Sequence, residues 1–435
     1  MERFDRIVEM ADAMLPEMVA VRRDLHKHAE TGWLEMRTSS IIARKLTDLG
    51  YKVLVGEDVC DKNARMGVPD EAVLEAQYER AVSQGADPEF VPYTKGGMTG
   101  VIGILECGEG PTVAMRFDID ALGVFEAADE GHRPYTEGFA SINTGFMHAC
   151  GHDGHTSIGL GVAKILMAIK DSLHGTVKLI FQPAEEGVRG AKSIVEKGHL
   201  DDVDYVIGNH ISNRSAKAGD AHVIPGIYSS LATTKLDVVY RGKASHAGAA
   251  PHLGNNALLA ASSAVMNLYA IPRHGEGASR VNVGTLHAGS GRNVIADEAK
   301  MELEIRGATT QINDYMTRYA TKILENAADM FGCTCEMKLM GAAEAMCSDK
   351  VLADRVAAIA EEIALQPVDI TTNGGSEDYS YMMNRVQQHG GQAVFFRSLT
   401  KVSGTSHGRY YDFDEQVMPV AVKILCCTAA DNLQR

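Results

Sequence analysis

Apolar residues at Met14, Met18, Val21 and Leu25 recur at helical spacing and predict a first helix that ends near Thr31-Gly32. A second helix is expected over 38–49, stopped by Gly50, because glycine most readily leaves a helix in a left-handed conformation. Apolar-rich strands then alternate with helices: strands over 100–105 and 111–117, a helix over 156–170, and a strand over 176–182. Such alternation implies an α/β sheet. Between 59 and 97 the rhythm breaks. There Pro69-Asp70-Glu71, followed by Leu74, Tyr78 and Val82, reads as a capped amphipathic helix closed by Gly85 and inserted into the larger unit.

From Thr233 the pattern changes to a strand over 235–241, a helix over 255–270, strands over 280–288 and 298–306, a helix over 312–330 and a strand over 334–340. This βαββαβ order suits a ferredoxin-like module. Two domains are therefore expected. An α/β domain comprises 1–231 and 342–435, and an α+β domain over 232–341 is inserted into it. A chain of 435 residues exceeds one ordinary core, which agrees with that division.

Composition is that of a globular protein, 45% hydrophobic and 23% charged. The net charge of −15 argues against nucleic acid or an anionic membrane as partner, so any anion site must be built locally. A charged start and the lack of a long apolar run point to a cytoplasmic protein. Eight scattered cysteines are too sparse for a disulfide scaffold and are expected to be reduced. Cys333 and Cys335 have no second ligand pair nearby and read as structural.

The densest chemistry is His148-Ala149-Cys150-Gly151-His152-Asp153-Gly154-His155, ahead of a helix expected from Thr156. A thiolate at Cys150 is a strong ligand for a borderline cation, and the helix N-terminus should favour its charge. His152, two residues on, can share the same ion. Asp153 is of the type that orients a ligating imidazole. Some thirty residues later, an apolar strand runs into Gln182-Pro183-Ala184-Glu185-Glu186-Gly187. One carboxylate there can bind metal while its neighbour moves a proton. His210, expected just after a strand, and His407 in Ser406-His407-Gly408 fit the same scheme. The acidic turn Gly374-Gly375-Ser376-Glu377-Asp378 could support the site or cap a helix. In the smaller domain His246 could offer a donor to an oxyanion, and Arg292, Asn293 and Arg306 could hold a carboxylate.

Together these motifs, with Arg22-Arg23-Asp24-Leu25-His26 and Arg116-Phe117-Asp118-Ile119-Asp120, resemble the metallopeptidase family of aminoacylases, hippurate hydrolase and carboxypeptidases, in its cysteine-containing branch. The resemblance spans nearly the whole chain. It implies a two-metal exopeptidase-like catalytic domain whose inserted ferredoxin-like domain serves as dimerisation surface and lid. Cys150, His152, Glu186, His210 and His407 would hold two divalent ions, zinc or manganese, with Asp118 and Asp153 behind them. Glu185 would be the general base, His246 would reach in from a partner subunit, and Asn293 would bind substrate. The implied activity is hydrolysis of the amide of an N-acyl or N-aroyl amino acid, by a homodimer or with a related second subunit. A broad aminoacylase and an inactive metal-containing binding subunit remain rivals.

Overall fold

The computed structural model describes residues 4–370 and 375–434. It divides into two compact units: Met1–Tyr228, Cys347–Asn373 and Asp378–Arg435 form the larger, and Ser229–Met346 with Gly374–Glu377 the smaller. Strands are numbered along the chain as β1 (Lys52–Val55), β2 (Val101–Glu106), β3 (Thr112–Asp118), β4 (Thr176–Gln182), β5 (Tyr205–Asn213), β6 (Val223–Ile224), β7 (Ala232–Arg241), β8 (Ser279–Ala288), β9 (Glu298–Gly307), β10 (Thr334–Ala343) and β11 (Gln392–Thr400).

The larger unit is built on one seven-stranded sheet in the order β1-β2-β4-β3-β5-β11-β6. Its centre is parallel, with β3 beside β4 and β5, and β5 beside β11, while β1, β2 and β6 join antiparallel at the edges. A parallel centre needs both faces covered, and β4 accordingly reads as a nearly continuous apolar run, buried from Val177 to Gln182. Its partners include the helices His152–Ala168 and Val417–Leu433, both apolar nearly all round.

Several boundaries differ from expectation for local reasons. The first helical stretch is two helices, Asp5–Ala13 and Leu15–Lys27, and it ends at Lys27. The helix expected from Thr156 begins at His152, with Gly151 in the left-handed region at its start. His152, Asp153 and His155 therefore lie in the helix rather than in a loop before it. Likewise β5 continues through His210 to Asn213, so that histidine sits within a strand. The 59–97 segment contains the helix Glu71–Ser83, but Asp70 makes no side-chain capping bond. Leu74, Ala81 and Val91 pack with Leu34 and Met36, and Trp33 Nε1 donates to the Met66 carbonyl at 2.8 Å.

The smaller unit has the βαββαβ order, with an antiparallel sheet β10-β7-β9-β8. Its helices Ala257–Tyr269 and Thr310–Met330 share a core with Val238, Tyr240, Met301 and Ile305. Cys333 is buried against that core, as its structural reading requires. Among the described residues no helix is long and apolar enough to cross a membrane.

Candidate active site

The candidate ligands gather at the C-terminal ends of β3, β4 and β5, where α/β sheets place their sites. Donor atoms of Cys150, His152 and His210 lie within 4.8 Å of one another, as do those of Cys150, Glu186 and His407. Cys150 is common to both groups. Its Sγ is 3.5 Å from His210 Nε2, and His407 Nε2 is 3.5 Å from Glu186 Oε1. His407 has φ 64°, and its amide donates to the Ala149 carbonyl at 2.8 Å, joining it to the cysteine loop.

Hydrogen bonds fix which atom each imidazole presents. His152 Nδ1 meets the Asp120 carbonyl at 2.8 Å, and His210 Nδ1 meets the Ile211 carbonyl at 2.5 Å, so both direct Nε2 inward. His155 is committed differently. Its Nδ1 donates to Asp118 at 2.5 Å and its Nε2 accepts from the Ile211 amide at 2.8 Å, which leaves no ring nitrogen for a cation. Asp118 is shared with Arg116, whose Nη1 lies 2.6 Å away.

Asp153 has partners other than the expected imidazole ligand. It accepts from Arg22 Nε and His26 Nδ1, both at 2.8 Å, within a buried network that continues from Arg22 to Asp412 and from His26 to Glu126. The role expected of it falls to the Asp120 carbonyl, which no side-chain motif could reveal.

The electrostatics also revise the picture of Cys150. Burial and the Glu186 carboxylate push its thiol up to about 12. Burial likewise pushes Glu186 up to about 7, helped by Asp120 and Asp118. Burial opposes charge on His152, yet Asp118 and its other partners raise it well above the usual histidine range, whereas burial and His155 hold His210 well below it. Sulfur, carboxylate and imidazole donors thus converge in one place. Among the described residues His152 Nε2 and Glu186 Oε1 are buried without a hydrogen-bond partner. A divalent cation fits this set: it would satisfy both orphaned atoms and displace the protons that burial otherwise retains.

Residues 114–431 match the model of peptidase family M20/M25/M40. The chain belongs to that family. It is 45% identical over 425 residues to a p-aminobenzoyl-glutamate hydrolase chain of Escherichia coli, covering 97% of each. It is 46% identical over 424 residues to indole-3-acetyl-aspartic acid hydrolase of Enterobacter agglomerans, covering 96% of each. The crystal structure of an aminobenzoyl-glutamate utilization protein from Klebsiella pneumoniae is similar throughout, with a TM-score of 0.84, 39% identity and coverage of 100% of this chain and 99% of that one. This M20 member is accordingly a metal-dependent amidohydrolase.

The M20 chain's remaining candidates lie in the smaller unit. His246 is exposed, and its Nδ1 accepts from the amides of Gly248 and Ala249, each at 3.1 Å. In a neutral ring the proton must then sit on Nε2, leaving an outward donor. Its loop is paired with that of Asn293: His246 bridges Val294, and the Ala247 amide donates to the Asn293 carbonyl at 3.0 Å. The two loops thus support each other within their own unit. Arg292 and Asn293 are exposed, while Arg306 is engaged by Glu304 on its own strand at 3.0 and 3.1 Å. Of the acidic turn 374–378, Gly374 lies outside the described residues. Asp378 accepts from Gln182 Nε2 at 2.9 Å and from the Gly190 and Ala191 amides.

Two residues that sequence reasoning passed over are Asp120 and Glu35. Asp120 accepts from the Glu185 and Glu186 amides at 3.0 Å each, and Glu35 accepts from the Ala184 amide at 2.8 Å. Asp120 stands inside a recognised motif. Glu35 is 149 residues from its partner, beyond the reach of any local pattern.

Proposed function

We propose that this protein hydrolyses the amide bond of N-aroyl amino acids, with p-aminobenzoyl-glutamate as the preferred substrate and p-aminobenzoate and glutamate as products. The observation that carries the reading is the pair of three-residue donor groups meeting at Cys150, with Glu185 Oε2 3.9 Å from His152 Nε2. Cys150, His152, Glu186, His210 and His407 would hold two divalent ions, manganese or zinc. When bound, such ions polarise the amide carbonyl and lower the pKa of water.

The chain's own residues do the rest. Glu185 takes the proton of the attacking water and delivers it to the departing amide nitrogen. His246 Nε2–H, from a second copy of the chain or a related second subunit, donates to the developing oxyanion. Asn293, with Arg292 and Arg306, binds the carboxylates of the amino acid. The exposed apolar residues Leu258, Leu259, Met266 and Tyr269 on one helix, and Leu286 on the edge strand β8, support a role for the smaller unit in pairing with another chain. Eight free cysteines fit a reducing cytoplasm.

Substrate choice draws on the names of the relatives. One acts on an aminobenzoyl-glutamate and another, of nearly equal identity, on an indole-3-acetyl-aspartate. Both names describe an aromatic acyl group on an acidic amino acid, so the indole compound is the second reading. A panel of p-aminobenzoyl-glutamate, indole-3-acetyl-aspartate, hippurate and acetyl-methionine, assayed with added manganese, tests it. The first should show the highest kcat/KM. A preference for acetyl-methionine would replace this reading with that of a broad aminoacylase.

A further inference from the structure

The turn that carries Glu185 and Glu186 has unusual backbone: φ is 52° at Ala184, 87° at Gly187 and 59° at Val188. Left-handed conformations at residues with side chains are costly and persist only where the surroundings over-determine them. Here the surroundings are two carboxylates. The successive amides of Ala184, Glu185 and Glu186 are taken by Glu35 Oε1 at 2.8 Å, Asp120 Oδ1 at 3.0 Å and Asp120 Oδ2 at 3.0 Å. Neighbouring amides that face one side form an anion-binding concavity, and the protein fills this one with its own acids.

The two acids have separable duties. Asp120 holds both members of the acidic pair, and its carbonyl also orients His152, so changing it disturbs the candidate ligands directly. Glu35 touches the turn at Ala184 alone, on the side of Glu185. Its other oxygen accepts from Thr99 Oγ1 at 2.7 Å, and the side chain is fully buried. Three distant segments are thereby joined: the entry to the helix Met36–Asp48, the entry to β2, and the exit from β4.

We infer that Glu35 is a positioning residue for Glu185: by fixing the peptide at Ala184 it sets the direction from which the Glu185 carboxylate meets the attacking water. The inference rests on the proposed role of Glu185 in proton transfer. Burial and the charge of Asp120 push the Glu35 carboxyl up to about 8. Glutamine has the same shape and the same acceptor oxygen. It should therefore replace Glu35 far better than alanine does.

The experiment compares Glu35→Ala, Glu35→Gln and Glu185→Gln in the full chain, measuring kcat and KM with p-aminobenzoyl-glutamate, manganese binding to the metal-stripped protein by calorimetry, and thermal melting. Glu35→Ala should lower kcat about 30- to 100-fold, the scale of a misplaced reacting group, with KM within about threefold and the number of bound ions unchanged. Glu35→Gln should restore kcat to within about fivefold of the parent. A Glu35→Ala protein with kcat within about threefold of the parent overturns the inference, and so does a Glu35→Gln protein as impaired as the alanine variant. If Glu35→Ala does not fold, Thr99→Val takes its place: freeing one Glu35 oxygen should lower kcat at least about threefold at unchanged KM, and no drop overturns the inference. Failure of the underlying reading looks different, because Glu185→Gln would then remain active. An inactive Glu185→Gln beside an active Glu35→Ala sinks the positioning role alone.

Discussion

Around Cys150 the candidate ligands are oriented by buried neighbours, whereas His246 stands exposed on a loop held by backbone bonds. In the larger unit, His152, His210, Glu185 and Glu186 are each positioned by a hydrogen bond that they donate, from ring or amide, to Ile211 or Asp120. Behind them Arg22 lies fully buried among Asp153, Asp412 and Glu415. In the smaller unit, the His246 loop relies on the Asn293 loop and on two amides directed at one ring nitrogen. The contrast matches two chemical demands. A dinuclear centre needs its donors in place before the ions arrive. A donor to a transient oxyanion is needed only once substrate is bound, and can come from a more mobile element.

Breaking the rigid side should have the largest effect. Arg22→Met leaves three buried carboxylates without their shared cation, and stability should fall by about 3–5 kcal/mol, read as a large drop in the urea midpoint. A midpoint close to that of the parent would mean that the network is not what holds the wall. Glu185→Gln should next cost at least about a hundredfold in kcat with the ions retained, the scale of a lost general base. Near-parental turnover would remove Glu185 from the mechanism.

The exposed side should behave in the opposite way, losing rate without losing stability. His246→Ala should lower kcat at least about tenfold at an unchanged melting temperature. Mixing it with Glu185→Gln should restore part of the activity, because one site of each mixed dimer then combines an intact base with an intact donor. No recovery in mixed dimers shown to have formed would place the donor in its own chain or outside catalysis.

A smaller effect is expected in acid. Burial opposes charge on Glu126 and Glu415, yet their histidine and arginine partners lower both to about 2. Their folded pKa values lie below the unfolded ones, so their contribution is present above about pH 4.5 and is lost as pH falls toward about 2. Glu126→Gln should flatten the decline of stability across that window. An unchanged slope would assign acid sensitivity to other groups.

Much of this could be read from the sequence, because the signals are local. The β4 run, the βαββαβ order and the eight-residue cluster from His148 to His155 each announce themselves within a short window. What escaped is set by distance and by backbone. No periodicity relates Glu35 to Ala184, and the carbonyl that aims His152 belongs to a residue that stands out in sequence only for its side chain. Cys150 shows a further limit. A helix start alone suggests an acidic thiol, but burial, with the Glu186 carboxylate that folding brings beside it, pushes the thiol the other way.

The most direct test of the proposed two-ion centre is elemental analysis of the native protein beside Cys150→Ser. Two divalent ions per chain are expected in the fully active parent, and loss of both in the variant, since each donor group contains Cys150. A fully active parent with fewer than about one ion per chain, or a variant that keeps both ions as tightly as the parent, would contradict a two-ion centre built around that sulfur.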